Sequence, residues 1–415
     1  MKRSWKINLN SIAVAIIALL ASGFYGYAQI TVSTITPQFK GSGGLCLDQT
    51  GNLYIADFGD FLGVPDTDGL PNVISKLDAE MVLSEYSTNF VRASGNAFDG
   101  NEVLHQADIG VSAIYKVIGG VRTFFTSTGI SNPVGLAFDN NDNLYVCNCG
   151  NNTIRKVTPA GVSTLFAAGN LFSCPNGLTI DEDQNLYVSN FSNGNIIKVT
   201  STGISTLINV TPTGTTSGPS NGHLDYHQPS RTLFIASMAA STIYYIDLDD
   251  SSNLVTLAGT GVRGNTDGDA SAATFSRPNG VAVTQSGDSI YINSAIPLTN
   301  VPNTPLNPSI VRLITGVQSV LSTNTNSLPN YSVKAYPNPV KDSFSIEADL
   351  LQDYSHLRLE IYDIQGRIVH TIKDLLTENS RFGITLDIGH FESGNYFYTL
   401  FEKAKQLFNG RLIKN

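Results

Sequence analysis

Apolar residues in this chain fall in short runs that alternate with polar ones, broken by turns rich in Gly, Asp and Asn. Alternation with a period of two is the pattern of a half-buried β-strand. One such pattern is written twice. Residues 133–166 read PVGLAFDNNDNLYVCNCGNNTIRKVTPAGVSTLF, and residues 175–208 read PNGLTIDEDQNLYVSNFSNGNIIKVTSTGISTLI. Gly135, Asp139, Asn148, Ile154, Lys156 and Thr164 return as Gly177, Asp181, Asn190, Ile196, Lys198 and Thr206, each 42 positions later. A period of roughly 40–45 residues with four short strands per unit predicts the blade of a β-propeller.

Weaker copies flank this pair. Residues 43–60 open a first blade, with Asp48, Asn52, Leu53, Tyr54 and Asp57 in register, before an insertion rich in Asp, Gly and Pro at 61–72. A worn second blade keeps Asp99, Leu104, Asp108, Ile114 and Val117. A fifth, from Asn221, has Ser237 in the place of Asn190; a sixth begins at PNGV, residues 278–281, after a glycine-rich link. Each unit can bury its faces only against its neighbours, so six units should close as a ring over residues 30–316. Two stretches fit the strand that completes the last blade, ITVSTI at 30–35 and GVQSVL at 316–321; the N-terminal one is preferred because it joins both ends of the ring. A Ser/Thr/Asn linker at 317–330 leads to residues 331–415, which lack the repeat and read as a small Ig-like antiparallel β-sandwich. The expected class is all-β.

Composition sharpens this picture. Charged residues make up 14% of the chain, and 37 glycines suit a protein of many turns. Residues 1–28 have the form of a secretory signal: Lys2, Arg3 and Lys6, an apolar run at 12–21 too short to span a bilayer, and small residues before the expected cut. No other segment is long enough to cross a membrane as a helix. The formal charge is −9, and −12 once those three cations are removed, which argues against nucleic acid as a partner. Of four cysteines, Cys149 follows a second strand and Cys174 precedes the next first strand, on one face of adjacent blades. In an oxidising compartment these two are expected to bridge. Cys46, mid-strand, reads as a small buried residue, and no Cys or His pair has zinc-finger spacing.

The PNGL and PNGV turns, the recurrent D-x-x-x-N-L-Y-V and the link RGNTDGDASAATFSRPNG resemble the NHL-repeat and SMP-30/gluconolactonase-like six-bladed propellers. The tail motifs YPNPVKDSFSI, IYDIQGRIV and SGNYFYTL, with a terminal RLIKN, resemble the type A C-terminal sorting domain of the Bacteroidetes type IX secretion system. That second resemblance implies passage to the periplasm and then across the outer membrane by the type IX machinery. The product would be secreted or attached to the cell surface.

Propeller ligands usually meet one mouth of the central channel, where loops lead into first strands and leave second strands. Register places Gly43, Ser94, Val134, Asn176, Asn221 and Asn279 on the former, and Asp57, Asp108, Asn148, Asn190, Ser237 and Ser294 on the latter. Asp57, Asp108, Asn148, Asn176, Asn190 and Asn279 are the binding candidates. Their oxygens can hold a hard cation such as Ca²⁺, with Asp57 and Asp108 as its carboxylates, or can hydrogen-bond sugar hydroxyls and peptide groups. Asp and Asn also end strands simply because they cap turns. The lactonase resemblance implies a divalent metal held by a glutamate, an asparagine and an aspartate. Here Gly43 stands in the glutamate's place, and Asn190, Ser237 and Ser294 stand where the aspartate would be. The reading is therefore a non-catalytic binding module for a glycan, peptide or protein, with a metal-dependent lactonase as the alternative. His105, His223 and His227 offer a zinc route known in amidating-lyase relatives, though strand histidines are usually packed. Asn265, Asp267 and Asp269 alternate as in a calcium loop but lack its later glutamate, so a turn is expected.

Overall fold

The structure is a computed structural model describing residues 29–60, 70–212, 220–297, 305–317, 332–350, 353–363, 367–402 and 405–415. The expected leader, most of the 61–72 insertion and the linker apart from Val317 lie outside the described residues.

The repeat folds as successive antiparallel sheets. Blade one comprises Leu45–Leu47, Leu53–Ala56, Asn72–Leu77 and Leu83–Phe90. Blade two comprises Ala93–Phe98, Leu104–Asp108, Ala113–Ile118 and Val121–Thr126. Blades three and four, the two clear copies, start at Pro133–Phe138 and Pro175–Ile180 and end at Ser163–Ala168 and Ser205–Val210. Blade five runs from Asn221–His227 to Val255–Ala258. In every blade the second strand is buried on both faces, as in LYVCN and LYVSN, whereas the outermost strand is half exposed. Ile55, Val146, Val188, Ile235 and Ile292 are completely buried between blades. Each such side chain contributes roughly 1.5–3 kcal/mol.

Blade six closes the ring. Its order from the axis outward is Val281–Val283, Ser289–Ala295, Ser309–Thr315, Thr31–Thr34 and Gly268–Asp269. The N-terminal strand pairs antiparallel with the third, Val32 opposite Ile314 and Thr34 opposite Arg312. The two ends of the propeller chain therefore meet in one sheet. Each innermost strand contacts those of the preceding and following blades, and blade six contacts blade one, so the ring has six members and is closed.

The tail forms two sheets. Ser332–Tyr336, Ser343–Asp349 and Arg381–Asp387 make one; Ile368–Leu375, Leu357–Tyr362, Gly394–Glu402 and Lys405–Lys414 make the other. Phe344 and Ile346 of the first pack with Leu359, Tyr398 and Leu400 of the second in one core, so the unit is a sandwich.

Candidate functional site

The motif that reveals the repeat is a folding device. In blade one, Asp48 Oδ1 accepts the amides of Thr50 and Asn52, both at 2.9 Å, and Oδ2 accepts Asn52 Nδ2 at 2.7 Å and the Tyr54 hydroxyl at 3.3 Å. Asp181 repeats this with Asn185 N at 2.7 Å and the Tyr187 hydroxyl at 3.1 Å. Asp139 does so with Asn143 and Tyr145, and adds Lys156 Nζ at 3.1 Å. Burial pushes the Asp139 carboxyl up, but hydrogen bonds from Asn143, Asn141 and Lys156 outweigh it and hold the acid below its ordinary value. The D-x-x-x-N-L-Y unit thus ties the first hairpin of a blade to itself.

Toward the axis, the first strands pack backbone against backbone. A Cβ on Gly95 would lie 2.2 Å from Val134 O, one on Gly135 2.3 Å from Asn176 O, and one on Gly222 2.4 Å from Asn279 O. Only glycine lets neighbouring strands approach this closely. His223 reaches across blades. Its strand belongs to blade five, yet a Cβ on Gly44 of blade one would sit 3.2 Å from its Cε1. Burial pulls this imidazole down to about 4, so it is neutral at physiological pH. Two residues along, Asp225 accepts Val283 N of blade six at 2.9 Å, and burial pushes its carboxyl up to about 6 despite that bond. Burial, then the charges of Asp225, Asp48 and Glu102, push the Cys46 thiol far up, which leaves it unreactive.

The sequence-predicted residues at the ends of second strands face the segments that cross between blades. Asp108 is fully buried; it accepts Val91 N at 3.0 Å and Arg92 N at 2.9 Å. Asp57, 1% exposed, accepts Gly59 N at 3.0 Å and Asn307 Nδ2 at 2.8 Å. Asn148 Nδ2 donates to Gly129 O at 2.8 Å, Asn190 Nδ2 to Leu171 O at 2.7 Å, and Ser294 Oγ to Ser276 O at 3.1 Å. Asn176 and Asn279 bind the next blade instead, through Asn221 O at 3.0 Å and Ser42 O at 2.6 Å. Each of these side chains holds backbone. Asp57 and Asp108 belong to different blades and different backbone networks, and among the described residues no three Cys, His, Asp or Glu side chains stand together as a metal cluster.

The histidines are likewise separate. His105 packs edge-on against Phe125 and Phe138, and His227 bonds Ser230 Oγ at 2.7 Å and Gln285 O at 3.1 Å. The Asn265/Asp267/Asp269 stretch is not the expected turn but runs as irregular chain into the Gly268–Asp269 strand, which pairs with Thr31–Val32; Asp267 binds Arg312 and Thr34, and Asp269 binds Ser271. Cys149 and Cys174 form a disulfide that joins blades three and four.

Beside Asn279 and Ser294 the mouth holds Arg277, which the sequence-derived set lacks. Between blades six and one lies a shallow cleft lined by Ser42, Arg277, Asn279, Asn293, Ser294 and Ser309, with Ala295 and Leu306 as its apolar wall. The space over these residues, about 150 Å³ with open solvent included, encloses nothing: the feature is a surface crease, not a pocket. The signal for Arg277 was its place before Pro278. Asn132 and Cys174 precede Pro133 and Pro175 in the same left-handed conformation, φ 45° and 50°, against 47° for Arg277.

Residues 334–415 match the secretion system C-terminal sorting domain family, and residues 131–157 match the NHL repeat. No curated protein is recognisably similar in sequence. Among solved structures, an auxiliary nutrient binding protein from Bacteroides ovatus has a TM-score of 0.53 at 14% identity, over 69% of this chain and 77% of that one. A protein of unknown function from Bacteroides thetaiotaomicron gives 0.53 at 14%, over 69% and 76%. A gluconolactonase from Xanthomonas campestris gives 0.50 at 14%, over 69% and 91%. At this identity the likeness establishes the fold. The chain is a β-propeller with an NHL repeat. It carries a C-terminal sorting domain, which supports secretion through the type IX system.

Proposed function

We propose that this protein is exported cargo whose propeller is a non-catalytic binding module. The tail directs it through the periplasm to the type IX machinery, and the mature form is secreted or held at the outer-membrane surface. There the mouth of the ring engages a glycan, peptide or protein. The observation that carries this reading is that the polar groups expected at the mouth are spent on backbone. The first strands pack closely through glycines, a neutral His223 reaches from blade five to Gly44 of blade one, and the carboxylates and amides of the mouth are engaged with backbone. Such a surface recognises a ligand laid across it; it does not enclose one or activate water for attack. The nutrient-binding propeller of similar fold is consistent with a binding role.

The test uses the full mature chain. Binding is measured against a panel of glycans and peptides, and metal content and lactone hydrolysis are measured on the same preparation. Saturable binding without turnover is expected. Stoichiometric metal that is lost on Asp57→Ala, together with lactone turnover, would overturn the reading in favour of a lactonase.

A further inference from the structure

Blade two departs from the repeat inside its packing. At one pair of opposed positions on the first and second strands, the other five blades place leucine or valine against isoleucine or valine, as in Leu178 and Val188. Blade two places Asn96 and Gln106 there. Both are buried, Asn96 7% and Gln106 0% exposed. Carbonyls fix their nitrogens. Gln106 Nε2 donates to Gly95 O at 3.0 Å and Ala107 O at 2.9 Å, and Asn96 Nδ2 to Tyr54 O of blade one at 3.4 Å. Their oxygens are not met: among the described residues no donor reaches Asn96 Oδ1 or Gln106 Oε1, and both atoms are sealed from the surface. A buried acceptor without a donor is costly, and here two stand on one face of one sheet, on residues directly opposite each other.

The repeat also shows that the interface has room. Blade three brings Ala137, Tyr145 and Cys147 to the core it shares with Leu178 and Val188. At the matching positions blade one brings Cys46, Tyr54 and Ala56, again one alanine, one tyrosine and one cysteine. Leu104 and Val117 of blade two likewise repeat Leu186 and Val199 of blade four. Tyr115 is larger than its counterpart Ile197, but its ring is turned to Phe90, at 6.0 Å. Asparagine with glutamine fills less volume than leucine with valine, by more than the roughly 30 Å³ that one water takes in the liquid. A water has two O–H groups, one for each oxygen. A bare cation would meet only two neutral side-chain oxygens, too few to offset its lost hydration. We propose that Asn96 Oδ1 and Gln106 Oε1 hold one buried water, which donates to both and so fixes the Asn96 amide in the setting that reaches blade one. This site lies inside the ring and is independent of what the mouth binds.

The test uses the full chain. A crystal structure at a resolution that shows ordered water should place one peak within hydrogen-bond distance, about 2.7–3.2 Å, of both oxygens. In solution the Gln106 Nε2 protons should cross-relax with a water held far longer than surface hydration, and Asn96→Leu should abolish that signal. Absence of the peak overturns the proposal. So does an Asn96 amide turned to donate directly to Gln106 Oε1, since no water is then needed. A peak that gains scattering when sodium is replaced by rubidium overturns it in favour of a cation. An unchanged Gln106 signal in a folded Asn96→Leu chain overturns it too, because the water is then not shared. If that variant does not fold, the peak in the unaltered chain decides.

Discussion

Removing the Asp267 carboxylate should loosen the closure of the ring. Arg312, on the third strand of blade six, is completely buried. It donates to Thr274 O and Thr266 O at 2.9 Å and to Asp267 Oδ1 at 2.8 Å, and lies over the Phe275 ring at 5.0 Å. Asp267 in turn accepts Thr34 N at 3.0 Å and Thr34 Oγ1 at 2.9 Å, on the strand that closes the propeller. Asp267→Ala removes three hydrogen bonds and leaves a buried guanidinium with carbonyl partners alone. Hydrogen bonds contribute about 1 kcal/mol each, and stripping a buried pair of one member costs about 3–5 kcal/mol. Asp267 is 47% exposed, so water recovers part of this, and we expect a loss of about 3 kcal/mol. Urea unfolding gives the loss, and amide exchange at Thr31–Thr34 gives its location. Replacing both partners, Arg312→Met with Asp267→Ala, should cost less than the sum of the single changes, because no unpaired charge remains. A loss below about 1 kcal/mol for Asp267→Ala, or unchanged exchange in the closing strand, would refute the reasoning.

Three further outcomes follow from the same contacts. Cys149→Ser should lower stability by about 3 kcal/mol, since the bridge closes a loop with a sequence separation of 25; the urea midpoint with and without reductant checks this. Asp181→Ala should cost about 2 kcal/mol through the lost bonds to Asn185 and Tyr187, whereas Asp183→Ala, in the same turn, should change little by the same measurement. His105, His223 and His227 are each held near 4 by burial, against about 6.5 when unfolded, so stability is unaffected above that higher value and is lost as pH falls from 6.5 towards 4. Each contributes a loss on the order of 3 kcal/mol, while Asp225, held near 6, offsets part of it by gaining stability as pH falls from 6 towards 4. Midpoints measured from pH 8 to 4 should fall most steeply between 6.5 and 4, and substituting His223 by Asn should flatten the fall.

Much of the architecture could be read from the sequence because repetition is a strong signal. Asp139 and Asp181 announce the same hairpin twice, and alternation in LYVCN and LYVSN marks the buried second strand. The closing strand was legible because ITVSTI resembles the ends of other blades, and it pairs with Ser309–Thr315 as that likeness suggests. The site was less legible for a chemical reason. The oxygens of Asp57, Asp108 and Asn148 suit a cation, a sugar and a backbone amide equally, and only the position of Val91, Gly129 or Gly59 in space decides which they meet. His223 carries no local mark of reaching another blade; that depends on Gly44, four blades back in sequence.

The claim that this propeller is cargo delivered by its tail is tested most directly by comparing the full chain with one lacking residues 331–415 in a cell with a working type IX system. Protease accessibility of the propeller is measured on intact cells and in the medium. The account predicts that the full chain reaches the exterior and that the shortened chain, folded by the same Asp-Asn-Tyr ties, stays in the periplasm. Equal delivery of both would contradict it.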